Sequence, residues 1–135
     1  MAHCETQIIA HIVWATSGRQ PLLTPSVAEA VELCVHSEAR KLGCQVLAVG
    51  GTVDHVHVLV KLPPTLSLAK LVNQMKGVSS ALARRVLGKD CFFGWQSGYG
   101  AFTVCPPCAA RVARYVNQQA AHHQEERIWP ALEQS

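Results

Sequence analysis

TVDHVHVLVKL, residues 52–62, decides how the chain is read. The run is rich in β-branched and apolar residues and suits a strand, yet it carries His55 and His57 one residue apart. Side chains alternate along a strand, so Val53, His55, His57 and Leu59 point to one side and Val56, Val58 and Val60 to the other. The valine side fits against a hydrophobic layer; the other side is polar in its middle. Side chains at i and i+2 stand roughly 6–7 Å apart, close enough for two neutral imidazoles to converge on one metal ion. Alone, an HxH is short and arises by chance. Two half-buried histidines bonded to neighbours are the plainer explanation unless a third ligand and a reactive group lie elsewhere.

Working outward, CQVLAVGG reads as the neighbouring strand, with the turn at Gly50-Gly51 or at Val53-Asp54. TQIIAHIVWA, residues 6–15, reads as a first, apolar strand. Thr24-Pro25-Ser26 opens a helix whose apolar spacing is Val27, Ala30, Val31, Cys34 and Val35, and Gly43 is its stop. Residues 66–87 predict a long amphipathic helix with Leu68, Leu71, Val72, Met75, Val78, Leu82 and Val86 as its stripe. Lys70, Lys76, Arg84, Arg85 and Lys89 charge its other faces and its end. Phe92–Gln96 and Gly100–Val104 read as a short pair of strands, and a last helix runs over about 109–126. The order predicts an α+β fold: a mostly antiparallel sheet with helices packed on one face, of the split β-α-β kind, as a single domain over residues 1–135.

Composition narrows the function classes. A hydrophobic content of 49% in 135 residues fits one globular domain and excludes a disordered chain. No apolar run approaches the roughly 18 residues that cross a bilayer, and the N-terminus lacks a signal-peptide pattern. The expected location is the cytoplasm, with no membrane partner. The net charge of +3 permits nucleic acid as a partner. Most of the six scattered cysteines are read as free, small, buried side chains of a reducing compartment. Carboxylates are few, so a site of paired acids is disfavoured, whereas seven histidines call for an explanation.

ARVARYVNQQAAHHQEE, residues 110–126, supplies what the HxH lacks. On a helix, Tyr115 and Gln119 are i and i+4, one turn apart on a shared face, which His122 continues. Gln118, at i+3, is the rival for a ligand role, and Val112 and Val116 serve the packed side. A glutamine carbonyl oxygen is a hard ligand suited to Mg²⁺ or Mn²⁺. A tyrosine beside such an ion can attack a phosphate, although a helix tyrosine that merely packs its ring is the commoner case.

VDHVHVLVKLPP, MKGVSSALAR, WQSGYGAFTV and VARYVNQQAAHH occur in that order, and together they resemble the small single-tyrosine transposases of the insertion-sequence 200/605 type, the TnpA-like proteins. Transposases associated with repetitive extragenic palindromes are similar. The likeness runs from about Ile8 to Glu126. It implies the HUH nuclease fold, with Val56 as the bulky apolar residue between the histidines. It also implies a bacterial or archaeal enzyme that acts on single-stranded DNA with hairpin ends. Such an enzyme cleaves and rejoins element ends through a 5′-phosphotyrosine and works as a homodimer. On this chain the resemblance makes His55, His57 and Gln119 ligands of Mg²⁺ or Mn²⁺ and Tyr115 the nucleophile. In the family, the tyrosine helix of one subunit can complete the metal site of the other.

The basic residues Lys70, Lys76, Arg84 and Arg85 are candidates for neutralising DNA phosphates, with a solvated helix face as the alternative. Trp95, Tyr99 and Phe102 are candidate base-stacking surfaces, with core packing the stronger alternative. Cys105-Pro106-Pro107-Cys108 departs from the family pattern. Such a CxxC suits zinc or a disulfide, but with no second pair nearby its cysteines are read as incidental. The rival functions are a domesticated or inactive hairpin DNA- or RNA-binding protein of the same fold, and a metal-binding protein unconnected with nucleic acid. Tyr115 together with Gln119 favours the enzyme.

Overall fold

The computed structural model describes residues 4–118. The elements run β1 (Ile8–Ala15), α1 (Pro25–Lys41), β2 (Gln45–Gly51), β3 (His55–Leu62), α2 (Leu68–Leu87), β4 (Gly100–Thr103) and α3 (Ala109–Asn117). The four strands lie in the order β2-β3-β1-β4, and every neighbouring pair is antiparallel. β3 lies between β1 and β2, which α1 connects; β1 lies between β3 and β4, which α2 connects. These are two interleaved split β-α-β units, as the sequence predicts.

Local chemistry sets the helix ends. Pro25 occupies the first turn of α1, where its missing N–H costs nothing. Gly43, just past α1, has φ +90°, a conformation that side chains disfavour. Ser67 caps α2, its hydroxyl accepting from the Lys70 N–H at 3.1 Å. The β2–β3 turn falls at Thr52-Val53-Asp54, the second of the two expected places.

Alternation along β1 and β3 divides the protein into layers. Ala10, Ile12 and Trp14 of β1, with Val56, Val58 and Val60 of β3, pack against Val27, Val31 and Val35 of α1 and Leu71, Val72 and Met75 of α2. The opposite face carries Ile9, Leu59 and Ala48, which pack with Val112, Tyr115 and Val116 of α3. The expectation of helices on one face is therefore corrected: α1 and α2 cover one side of the sheet and α3 the other. A register irregularity between Val46 and Ala48 turns Ala48 toward α3. Gly50 allows the closest approach, since a Cβ there would lie 2.4 Å from the Val116 carbonyl oxygen.

The first strand of the expected C-terminal pair, Phe92–Gln96, does not form. Trp95 makes an isolated bridge to Thr16, while β4 pairs with β1. Side chains of α2 claim the intervening segment. The Lys76 ammonium donates to the Gln96 and Gly98 carbonyls at 2.9 and 2.8 Å. The Trp95 indole donates to the Lys76 carbonyl at 3.1 Å and to the Ser79 hydroxyl at 3.2 Å. Glu38 ties the two helices of that layer, accepting from Lys41 on its own helix at 2.8 Å and from Gln74 of α2 at 2.7 Å.

Candidate functional site

β3 holds His55 and His57 on the α3 side of the sheet, both essentially inaccessible to solvent. Their rings stand 5.0 Å apart between centroids at an interplanar angle of 65°. Burying an imidazole is costly unless its nitrogens find partners, and each Nδ1 has one. The His55 Nδ1 lies 2.7 Å from Asp54 Oδ1, to which it donates. The Thr52 hydroxyl donates to the same oxygen at 3.1 Å, and the Arg19 guanidinium pairs with Oδ2 at 3.9 Å. Burial pushes the Asp54 carboxyl up. Hydrogen bonds from His55 and Thr52, with the charges of His55 and Arg19, outweigh that and hold it below its ordinary 3.8.

The His57 Nδ1 lies 2.8 Å from Nε2 of His11, a fully buried side chain on β1. The two rings stack with centroids 4.9 Å apart and planes 20° from parallel. His11 stands opposite Leu59 and His57 opposite Val13, so the two imidazoles are diagonal neighbours across the β1–β3 pair. Phe102 of β4 stands opposite His11 on its other side.

α3 brings Tyr115 to this face. Its ring meets the His57 ring edge-on, with centroids 6.0 Å apart and planes at 78°. The sequence set Tyr115 apart from Val112 and Val116. In the structure all three are buried and form one stripe, because positions i, i+3 and i+4 share a helix face. Gln118 caps the end of α3 and is exposed. Gln119 and His122, the expected third ligand and its continuation, lie outside the described residues. Among the described residues no group of three His, Cys, Asp or Glu side chains is arranged to hold a metal. The pair itself fits a divalent ion in its donor chemistry: each imidazole is engaged through Nδ1, the arrangement in which histidines present Nε2 to a metal.

The basic candidates are not gathered at the histidines. Lys70, Arg84 and Arg85 project from α2, on the far layer, and are exposed. Arg84 and Arg85 line a groove of about 680 Å³ at the end of α2 with Lys89 and Cys91. Lys76 is half-buried and spent on the two loop carbonyls, and burial lowers its pKa. Of the aromatic candidates, Trp95 packs edge-on to Trp14 and Phe93 and belongs to the core, while Tyr99 is exposed. Cys105 and Cys108, read as incidental, are joined in a disulfide between β4 and α3.

Four residues of this neighbourhood were missed in the sequence: His11, Arg19, Thr52 and Asp54. His11 left one signal, a lone polar side chain in the otherwise apolar IIAHIVWA.

Comparison with known proteins gives the family and the fold. The family model described as "Transposase IS200 like" matches residues 4–119. The transposases of insertion sequence element IS200 from Salmonella typhimurium (strain LT2) and Salmonella typhi are each 26% identical over 125 residues, covering 88% of this chain and 81% of theirs. A crystal structure from Deinococcus radiodurans R1, assigned to the transposases, superposes with a TM-score of 0.71 at 22% identity, over 89% of this chain and 96% of that one. A REP-associated tyrosine transposase bound to a REP hairpin superposes with a TM-score of 0.63 at 13% identity, over 96% of this chain and 81% of that one. The last two show the shared α+β fold. With the family model spanning all but the chain's two ends, this protein belongs to the IS200-like transposase family.

Proposed function

We propose that this chain is a metal-dependent single-stranded DNA transposase, acting as a homodimer in the cytoplasm on DNA with hairpin ends. In this reading the Tyr115 hydroxyl oxygen attacks the scissile phosphorus. The P–Oη bond forms as the P–O3′ bond breaks, giving a 5′-phosphotyrosine and a free 3′-OH; strand transfer reverses the exchange, so no nucleotide cofactor is consumed. The observation that carries the reading is the meeting, on one face of the sheet, of Tyr115 with the HxH pair of β3.

His55 and His57 would hold Mg²⁺ or Mn²⁺, with Gln119 as the proposed third ligand. Such an ion supplies charge neutralisation and polarisation at the phosphate. Asp54 orients the His55 ring, and Thr52 and Arg19 in turn orient Asp54. The hairpin as substrate is supported by the structural neighbour that holds one.

The test is a denaturing gel of the protein with single-stranded element ends and Mg²⁺ or Mn²⁺. The wild type forms a covalent protein–DNA adduct, and Tyr115→Phe abolishes it while hairpin binding stays largely intact. An adduct persisting in that variant moves the nucleophile elsewhere, with exposed Tyr99 first in line. His57→Ala lowers cleavage far more than DNA affinity; equal losses would instead make His57 structural or a DNA contact.

A further inference from the structure

We propose that His11 is a positioning residue that fixes the tautomer of His57 and so readies its Nε2 for a divalent cation. The inference rests on the reading of His55 and His57 as a metal pair.

The case begins with a cost. β1 is apolar on either side of His11: Ile9, Ala10, Ile12, Val13 and Trp14 are all buried. An imidazole in such a place is expensive unless its polar atoms are used. His11 uses Nε2 on the His57 Nδ1, at 2.8 Å and with the rings nearly parallel.

Two ring nitrogens at that distance share one proton, and it resides on one side or the other. If His11 Nε2 carries it, neutral His57 has its own proton on Nε2 and no lone pair there. If His57 Nδ1 carries it, His11 accepts and His57 Nε2 holds the lone pair a metal needs. His55 shows the same arrangement with a carboxylate as the partner: Asp54 can only accept, and at 2.7 Å it is nearer the His55 Nδ1 than the Arg19 guanidinium, a donor at 3.3 Å, so the Nδ1 donates. The two metal-facing histidines are thus each gripped at Nδ1, one by a carboxylate beside it in sequence and one by a histidine 46 residues away. His11 serves His57 as Asp54 serves His55.

A merely structural His11 would stabilise the β1–β3 pair and do nothing else. The two roles separate in measurements that need no DNA cleavage. Manganese binding is followed by the EPR signal of free Mn²⁺ for the wild type, His11→Phe, His11→Gln and His57→Ala. Thermal melts establish that each is folded. Substitution of an outer partner of a metal-bound histidine weakens affinity by about 10–100-fold. His11→Phe is expected to lose affinity by that factor. His11→Gln, whose amide oxygen accepts a hydrogen bond, is expected to stay within a few-fold of wild type. Long-range ¹H–¹⁵N spectra of the metal-free protein are expected to show His57 protonated at Nδ1 in the wild type and in His11→Gln.

Unchanged manganese affinity in His11→Phe, with binding that His57→Ala abolishes, overturns the role of His11 alone. So does a wild-type His57 protonated at Nε2, a readout that stands even if His11→Phe fails to fold. If the wild type binds no Mn²⁺, or His57→Ala binds as well as wild type, the metal reading itself falls and this inference with it.

Discussion

The Tyr115 ring meets the His57 imidazole edge-on within a single chain, their centroids 6.0 Å apart. Nucleophile candidate and ligand candidate therefore share a layer with Val112, Val116 and Leu59, so the tyrosine is a packing residue as well as the proposed nucleophile. Those duties separate by substitution. Tyr115→Phe keeps the ring and is expected to change stability by no more than about 1 kcal/mol, one hydrogen bond's worth. Tyr115→Ala empties a buried aromatic site and is expected to cost about 3–5 kcal/mol. Urea unfolding of both variants checks the pair of values, and neither variant should form an adduct.

Gly50 tests how α3 is seated. A methyl group there would press on the Val116 backbone oxygen, and a backbone atom cannot rotate away as a side chain can. Gly50→Ala is expected to lift the end of α3 from β2 and cost about 1–3 kcal/mol, the usual penalty of overpacking. Hydrogen exchange should quicken in 112–118 and hold steady in α1 and α2. Uniform quickening would mean that α3 does not open on its own.

Acid should loosen the opposite layer. Hydrogen bonds from Lys41 and Gln74 hold the Glu38 carboxyl below its ordinary 4.5. A carboxyl lowered by folding contributes stability that is complete above its unfolded value and disappears as pH falls through its folded one. Glu38→Gln should therefore be less stable than the wild type near pH 7, with the gap closing below about pH 4.5. Thermal melts from pH 7 to 3 give the comparison; a gap independent of pH would assign the loss to packing.

Arg84 and Arg85 are suited to a nucleic-acid backbone, being exposed and lining one groove with Lys89. Each phosphate contact removed should reduce the slope of log K against log salt by about 0.9 for a duplex stem. Arg84→Gln with Arg85→Gln is expected to flatten hairpin binding by about 1–2 in that slope. Lys76→Gln, whose parent ammonium is committed to Gln96 and Gly98, is expected to leave the slope unchanged. An equal flattening by Lys76→Gln would return it to the DNA surface.

The sheet was legible in the sequence because β1 and β3 alternate and the helix boundaries carry Pro25, Ser67 and Gly43. The HxH face and the tyrosine helix were legible for the same reason: spacing fixes direction within one element. His11 was not, because its value depends on register between β1 and β3, and no local pattern encodes a partner 46 positions away. Asp54 was passed over as a turn residue although it adjoins His55. The segment around Trp95 has strand composition, yet α2 binds its carbonyls and indole, and tertiary contacts override propensity there. The side of the sheet that α3 occupies was misjudged since an amphipathic helix fits either face until both are inventoried.

The disulfide corner ahead of α3 has a mechanical consequence. Between Thr103 and Ala109, prolines restrict φ at 106 and 107, the Cys105–Cys108 ring closes around them, and the Val104 N–H is tied to the Ile9 carbonyl at 2.9 Å. Little slack is left in that stretch of backbone. The tyrosine thus hangs from the sheet on a stiff bracket rather than a string. Its aim is inherited from β4, and any swing of α3 away from the sheet must begin by bending the bracket.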